Sequence, residues 1–156
     1  MELIKDIGNM NNIEIKLLGT NNTKEMKEII EDDNMIFSKA NIINFINKAG
    51  NYGFIIIFDN KIVGFSYGYG LLRPDGKKML YIHSVGLLKE YQNKGLGSML
   101  MKYIVDYGKN NGFSESFVIT NKGNLRACKV YEKVGFKNDI ENEIVYVLEY
   151  DKSIKD

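Results

Sequence analysis

A glutamine, two glycines and a serine stand close together between an apolar run and an amphipathic one. Tyr81-Ile82-His83-Ser84-Val85-Gly86-Leu87-Leu88 is followed by Gln92-Asn93-Lys94-Gly95-Leu96-Gly97-Ser98 and then by Met99-Leu100-Met101-Lys102-Tyr103-Ile104-Val105. The first run is β-branched and apolar enough for a buried strand, and the last has apolar residues at helical spacing. Gly95 and Gly97 let the backbone between them turn tightly and come close to a ligand, while the first N–H groups of the helix beyond have no partner inside it. Free donors at the positive end of a helix dipole suit a phosphate. Two familiar phosphate motifs fail here. A dinucleotide fingerprint needs a third glycine where Leu100 stands, and Gly70 and Gly76 are wrongly spaced for a P-loop, with Lys77 followed by Lys78.

Other residue types able to do chemistry are few. His83 is the single histidine and can take up a proton near neutral pH. It reads either as a base or as a satisfied core histidine. Strand alternation puts it on one face with Tyr81 and Val85 unless a bulge intervenes. Cys128 is the single cysteine, and no activating base is placed beside it, so it reads as a small buried hydrophobe. Glu31, Asp32 and Asp33, with Asp139, Glu141 and Glu143, attract a cationic substrate if they line a cleft and are solvated surface otherwise.

These residues need elements to hold them. Ile13 to Leu17 alternates as a first strand, Asn22 or Thr23 can cap a helix through Met26, Ile29 and Ile30, and a second helical piece fits residues 42–48. Tyr52 to Phe58, a tight Asp59-Asn60 turn and Lys61 to Leu72 form a hairpin. Gly64, Gly68 and Gly70 in the second strand point to a bulge or a close backbone approach. Pro74-Asp75-Gly76 turns the chain into a strand over residues 79–88. A helix to about Asn110, ended by Gly112, leads to a strand over residues 113–120; a helix over residues 125–134 capped by Asn124 and a last strand over residues 143–150 follow. Residues 151–156 read as a loose tail.

The chain has 156 residues, 44% hydrophobic and 26% charged, which is the size and balance of one globular domain. A net charge of +1 argues against binding nucleic acid by bulk electrostatics. The longest strongly apolar run, Phe54 to Phe58, is too short to cross a membrane. The first residues lack the pattern of a signal peptide, and one cysteine makes no internal disulfide, so a cytoplasmic location is expected.

Gln92-x-x-Gly95-x-Gly97 between a strand and a helix resembles the pyrophosphate loop of the GNAT acetyltransferase superfamily. Asn124-x-x-Ala127-x-x-x-Tyr131-x-x-x-Gly135-Phe136 resembles its second signature, at the expected distance after the first. The resemblance spans roughly Phe54 to Tyr150. Leu71-Leu72-Arg73-Pro74, Val130 to Gly135 and the late acidic strand look like the aminoglycoside 3-N-acetyltransferase branch, except that this branch has an aspartate on the central strand where this chain has Ser84.

The resemblance implies an α/β (α+β) fold: one GNAT domain over 1–156 with a mixed, mostly antiparallel sheet of six to seven strands. About four helices cover its faces, and a central strand splays from its neighbour. It implies acetyl-CoA as donor and CoA as product. Backbone N–H groups of Val85, Gly86 and Leu87 would hold the pantetheine and the acetyl oxygen. Gln92, Asn93, Lys94, Gly95, Leu96, Gly97 and Ser98 would take the pyrophosphate, and Asn124 would bond the pantetheine arm. Tyr131 would stand beside the sulfur as general acid. His83 matches a histidine of another branch of the superfamily, as base or as bystander to an ordered water. Acetyl transfer to an amine needs a neutral amine, a polarised carbonyl and a protonated leaving thiolate, which these groups would supply. The expected activity is N-acetylation of a small cationic primary amine, aminoglycoside-like or polyamine-like, by direct attack in a ternary complex. The alternatives are a non-catalytic acyl-CoA sensor and a protein N-terminal acetyltransferase. No metal, nucleic acid or membrane is expected, and a homodimer through the late strands is possible.

Overall fold

A computed structural model of the chain describes residues 12–138 and 142–150. Strands β1 (Ile13–Leu17), β2 (Asn51–Phe58), β3 (Lys61–Leu72), β4 (Lys78–Leu87) and β5 (Glu115–Val118) lie side by side in chain order. The first four pair antiparallel, and β5 joins β4 in parallel after a crossover through helix α3 (Leu96–Asn110). Helices α1 (Lys27–Asp32) and α2 (Lys39–Asn47) precede β2, and α4 (Leu125–Lys133) follows β5. The described residues therefore form the expected α/β fold with four helices, on a mixed sheet of five strands where six to seven were expected.

Both faces of the sheet are covered, which is why β2 reads as a continuous apolar run. Ile55 and Phe65 pack with Met26, Ile29, Ile30 and Ile42 from the first helical region. Phe54, Ile56, Leu80 and Ile82 point the other way, onto Leu96, Leu100, Met101 and Ile104 of α3, the last four each fully buried. Each such side chain contributes about 1.5–3 kcal/mol by leaving water. The apolar stripe of α3 thus fixes its first turn against the end of β4.

The hairpin turn is as read, since Asp59 and Asn60 both adopt positive φ, 49° and 64°, the conformation a two-residue turn demands. The capping of the first helix is not. The chain enters through a 3-10 turn over Thr20–Met26 without a side-chain cap, and Thr23 is buried and donates to the Thr20 carbonyl instead. The second helix begins earlier than its apolar residues suggest, because Ser38 accepts from the Asn41 N–H and starts it at Lys39.

The expected last strand over residues 143–150 makes no ladder among the described residues. Ile144, Val145, Tyr146, Val147, Leu148 and Tyr150 are all strongly exposed. β-Propensity needs a partner edge, and β5 offers one only four residues long. The expected tail, residues 151–156, lies outside the described residues, as do Asp139 and Glu141 of the acidic group.

Candidate active site

The site begins with a fault in β4. Tyr67 faces Ser84 while the next residue of β3, Gly68, faces Ile82, so His83 is the extra residue of a β-bulge. Gly68 makes that possible: a Cβ there would stand 2.1 Å from the Tyr81 carbonyl oxygen and 3.1 Å from Ile82 Cα. Of the three glycines that weaken β3 as a strand, Gly68 is where the backbone of β4 comes closest.

The bulge reverses which residues face α3. Leu80 and Ile82 do so before it, and Val85 and Leu87 after it. Val85 is therefore not on the face of His83, as simple alternation would have it, whereas Tyr81 is. β5 pairs with β4 only from Met79 to Ile82, so the outer edge of β4 beyond the bulge meets no strand among the described residues. The Leu88 N–H donates to the Val63 carbonyl on the β3 side at 2.9 Å. Counting back along the strand, Val85 and Leu87 turn their N–H groups to the open edge and Gly86 turns its own toward β3. Of the three expected donors, geometry thus gives two to the gap. Gly86 offers space instead, for a Cβ on it would meet nothing within 4 Å.

Below the gap, a 3-10 turn over Lys89–Tyr91 brings Gln92 back toward β4. Its Nε2 donates to the Leu87 carbonyl at 3.0 Å, and its Oε1 accepts from Arg126 Nη1 on α4. Asn93 and Gly95 both take positive φ, 60° and 86°. Gly95 is the N-cap of α3, no side chain caps that helix, and the first helical bond runs from the Met99 N–H to the Gly95 carbonyl. Leu96, Gly97 and Ser98 therefore sit in a first turn whose N–H groups are free of intrahelical bonds. Gly97 keeps the helix close to the sheet, with Leu87 Cδ1 at 3.4 Å and Val130 Cγ2 at 3.9 Å from where its Cβ would be. Lys94 is half-buried at the same turn.

Helix α4 closes this side. Asn124 caps it by accepting from the Ala127 N–H at 3.2 Å, which uses its Oδ1 and leaves its amide NH₂ to donate elsewhere. Tyr131 packs half-buried on the α3-side core, its ring centroid 6.0 Å from that of Phe136. Burial, reinforced by the Cys128 side chain, raises its phenol above the usual 10.0, so it keeps its proton throughout the neutral range. Cys128 is half-buried, with Sγ 3.8 Å from the Asn121 carbonyl.

On the opposite face, His83 is exposed and its Nδ1 lies 2.9 Å from the Tyr81 hydroxyl. The rings of Tyr67 and Tyr69 flank it at 5.2 and 6.4 Å. Next along the bulge, Ser84 Oγ donates to Asp33 Oδ2 at 3.3 Å. A carboxylate thus stands beside Ser84, carried there by the loop after α1. Glu31, Asp32 and Glu143 remain exposed. Arg126 and the Asp33–Ser84 contact escape a reading by motif because their partners lie 34 and 51 positions away. No group of side chains able to hold a metal ion occurs among the described residues.

A strand end with outward amides thus stands beside an uncapped, glycine-led helix. The model of the acetyltransferase (GNAT) family matches residues 21–136, and the chain belongs to that family, whose members use acetyl-CoA. Streptothricin acetyltransferase A of Bacillus subtilis is 24% identical over 106 residues, 68% of this chain and 56% of that protein. An N-alpha-acetyltransferase of Saccharolobus solfataricus is 27% identical over 104 residues, 60% of this chain and 62% of its own length. The chain thus spans less than two thirds of these relatives. Among solved structures, an aminoglycoside acetyltransferase from an uncultured soil metagenomic sample, in complex with sisomicin, has a TM-score of 0.76 at 22% identity, covering 91% of this chain and 98% of that one. An aminoglycoside N-acetyltransferase in complex with CoA has a TM-score of 0.68 at 16% identity, covering 90% and 94%. No helix among the described residues is long and apolar enough to cross a membrane.

Proposed function

We propose that the chain is an N-acetyltransferase that moves an acetyl group from acetyl-CoA to a small primary amine by direct attack in a ternary complex. The observation that carries this reading is the bulge at His83, which ends the β4–β5 ladder and turns the amides of Val85 and Leu87 outward directly above the free first turn of α3. In this reading, residues 92–98 receive the pyrophosphate, where Lys94 and the dipole of α3 favour negative charge. Arg126 positions the loop through Gln92. The Val85 and Leu87 amides hold the pantetheine and polarise the acetyl carbonyl, with Gly86 leaving room for the arm, and the free amide of Asn124 bonds it further along.

The transfer forms a C–N bond and breaks a C–S bond. Asp33 draws the amine to the bulge as a cation, and the amine must shed a proton before its nitrogen can attack. His83 accepts that proton directly or through a water. To do so it holds Nδ1–H against the Tyr81 oxygen, leaving Nε2 as the acceptor. A second proton passes from the nitrogen to solvent as the amide forms, and Tyr131 gives its phenolic proton to the departing sulfur and is reprotonated from solvent. A phenol kept neutral by burial has a proton to give throughout the neutral range, at the moment charge develops on the sulfur.

The acceptor class draws support from a carboxylate at the strand, in keeping with a small cationic amine. Retention of Tyr131 and Asn124 favours the enzyme over a silent acyl-CoA sensor. A cytoplasmic setting suits a chain with one unpaired cysteine. A homodimer is part of the proposal too: residues 144–150 expose an apolar strand-forming sequence and the outer edge of β5 meets no strand among the described residues, so a second copy would cover both. Light scattering of the purified protein tests that. The activity is tested by thiol release from acetyl-CoA with a panel of amines. Turnover should fall about 100-fold or more in Tyr131→Phe, as loss of a general acid does, with CoA affinity unchanged. Tight CoA binding without turnover of any amine would point to a sensor.

A further inference from the structure

On the His83 face, α1, α2 and β3 border an open-mouthed cavity of about 230 Å³. Ile30, Met35 and Ile36 line it together with Phe45, Tyr67 and Tyr69. The three rings meet edge to face, with centroids 5.8 to 6.4 Å apart. None of the described lining residues is charged. Of the two polar side chains that are not tyrosines, Ser38 already accepts from the Asn41 backbone.

The cavity leads to the reacting end of β4. The Tyr67 ring forms its wall and also touches His83, with centroids 5.2 Å apart. Asp33 is bonded to Ser84 at the same bulge, and burial, with the charges of Tyr69 and Asp33 adding to it, raises the half-buried Tyr67 phenol. A molecule lying in the cavity would therefore have an apolar bed along its length and a carboxylate and an imidazole at one end.

We infer that this cavity receives the body of the acceptor, and that the acceptor is a monoamine on a small apolar or aromatic frame. The inference rests on the acetyl-transfer reading and narrows its acceptor. The volume lies below the roughly 300–1,000 Å³ of sites for drug-sized ligands, so it suits one ring or one branched chain. The aromatic edges and faces hold a ring well, and a tyrosine face also attracts the ammonium as it approaches Asp33. A sugar hydroxyl laid against Met35 or Phe45 would find no partner, at a loss of about tenfold in affinity for each one buried, and a second ammonium group would lose more. Polyhydroxylated and polycationic amines are therefore poor fits for this bed, whatever the charge at its mouth.

The test compares 2-phenylethylamine, spermidine and sisomicin in the thiol-release assay and, independently of turnover, by titration into ¹⁵N-labelled protein with CoA present. The expected result is a kcat/KM for phenylethylamine at least tenfold above the other two. Met35→Trp, which fills the cavity from its half-buried rim, should raise the KM for phenylethylamine tenfold or more while CoA affinity stays. Asp33→Asn should weaken binding of the amine but not of 2-phenylethanol, which shares the body and lacks the charge. Preference for spermidine or sisomicin would overturn the inference and leave the acetyl-transfer reading standing. If no amine turns over, that reading fails and the titration decides for the cavity alone: shifts at Phe45, Tyr67 and Tyr69 sustain it, and their absence overturns it.

Discussion

Replacing Gly68 by alanine tests how the site is built, because the bulge beside it depends on the missing side chain. The added Cβ would stand 2.1 Å from the Tyr81 carbonyl oxygen and 3.1 Å from Ile82 Cα. Heavy atoms rest about 3.5 Å apart, so β3 and β4 must part by about 1 Å or more where paired strands ordinarily stand about 4.8 Å apart. Both obstacles are backbone, and neither can rotate away. The cost should reach the upper end of overpacking, about 3 kcal/mol, out of a total stability of roughly 5–15 kcal/mol. For a chain of this length that lowers Tm by about 6–12 °C. Gly86→Ala is the control. Its Cβ meets nothing within 4 Å, and alanine restricts the unfolded chain, so its melting point should hold or rise by a few degrees. Thermal melts of the two variants beside the parent decide the matter. If Gly68→Ala melted within about 2 °C of the parent, the account of the bulge as a glycine-dependent close approach would be wrong.

Two further outcomes follow from the same geometry. Asn124→Ala should lose the α4 cap, about 1 kcal/mol of stability, together with part of the CoA affinity; Asn124→Ser should restore stability without restoring affinity, and a serine variant that binds CoA like the parent would remove the proposed amide contact. Tyr67, Tyr107 and Tyr131 are all raised above 10.0, chiefly by burial, so the folded chain holds protons that the unfolded chain releases near that pH. Stability should therefore be level with respect to these groups below pH 10 and fall as pH rises through 10 and beyond, and a melting point rising across that range would contradict it.

Much of this arrangement could be read from the chain because its signals are local. The 3.6-residue stripe of Leu96, Leu100, Met101 and Ile104 both makes α3 and fixes which way it faces, and Asp59-Asn60 can only turn one way. Gly68 announced a close approach without saying what approached. The bulge on the facing strand decides which amides point outward, and it moves Val85 off the face of His83. No periodicity within one strand reveals a fault that depends on its partner. The same holds for Asp33 at Ser84 and for Arg126 at Gln92, contacts made across 51 and 34 positions. Residues 143–150 illustrate the reverse case: their β-branched and aromatic residues are those of a strand, but a strand exists only against an edge, and the described chain supplies a short one.

The central claim is that the open edge of β4 and the first turn of α3 together hold the acyl donor. Titrating CoA into ¹⁵N-labelled protein tests it most directly, since the claim concerns particular amides. Saturable shifts should be largest at Val85, Leu87 and the N–H groups of residues 95–98, with smaller ones at Asn124. Shifts confined to another surface, or none at millimolar CoA, would contradict it.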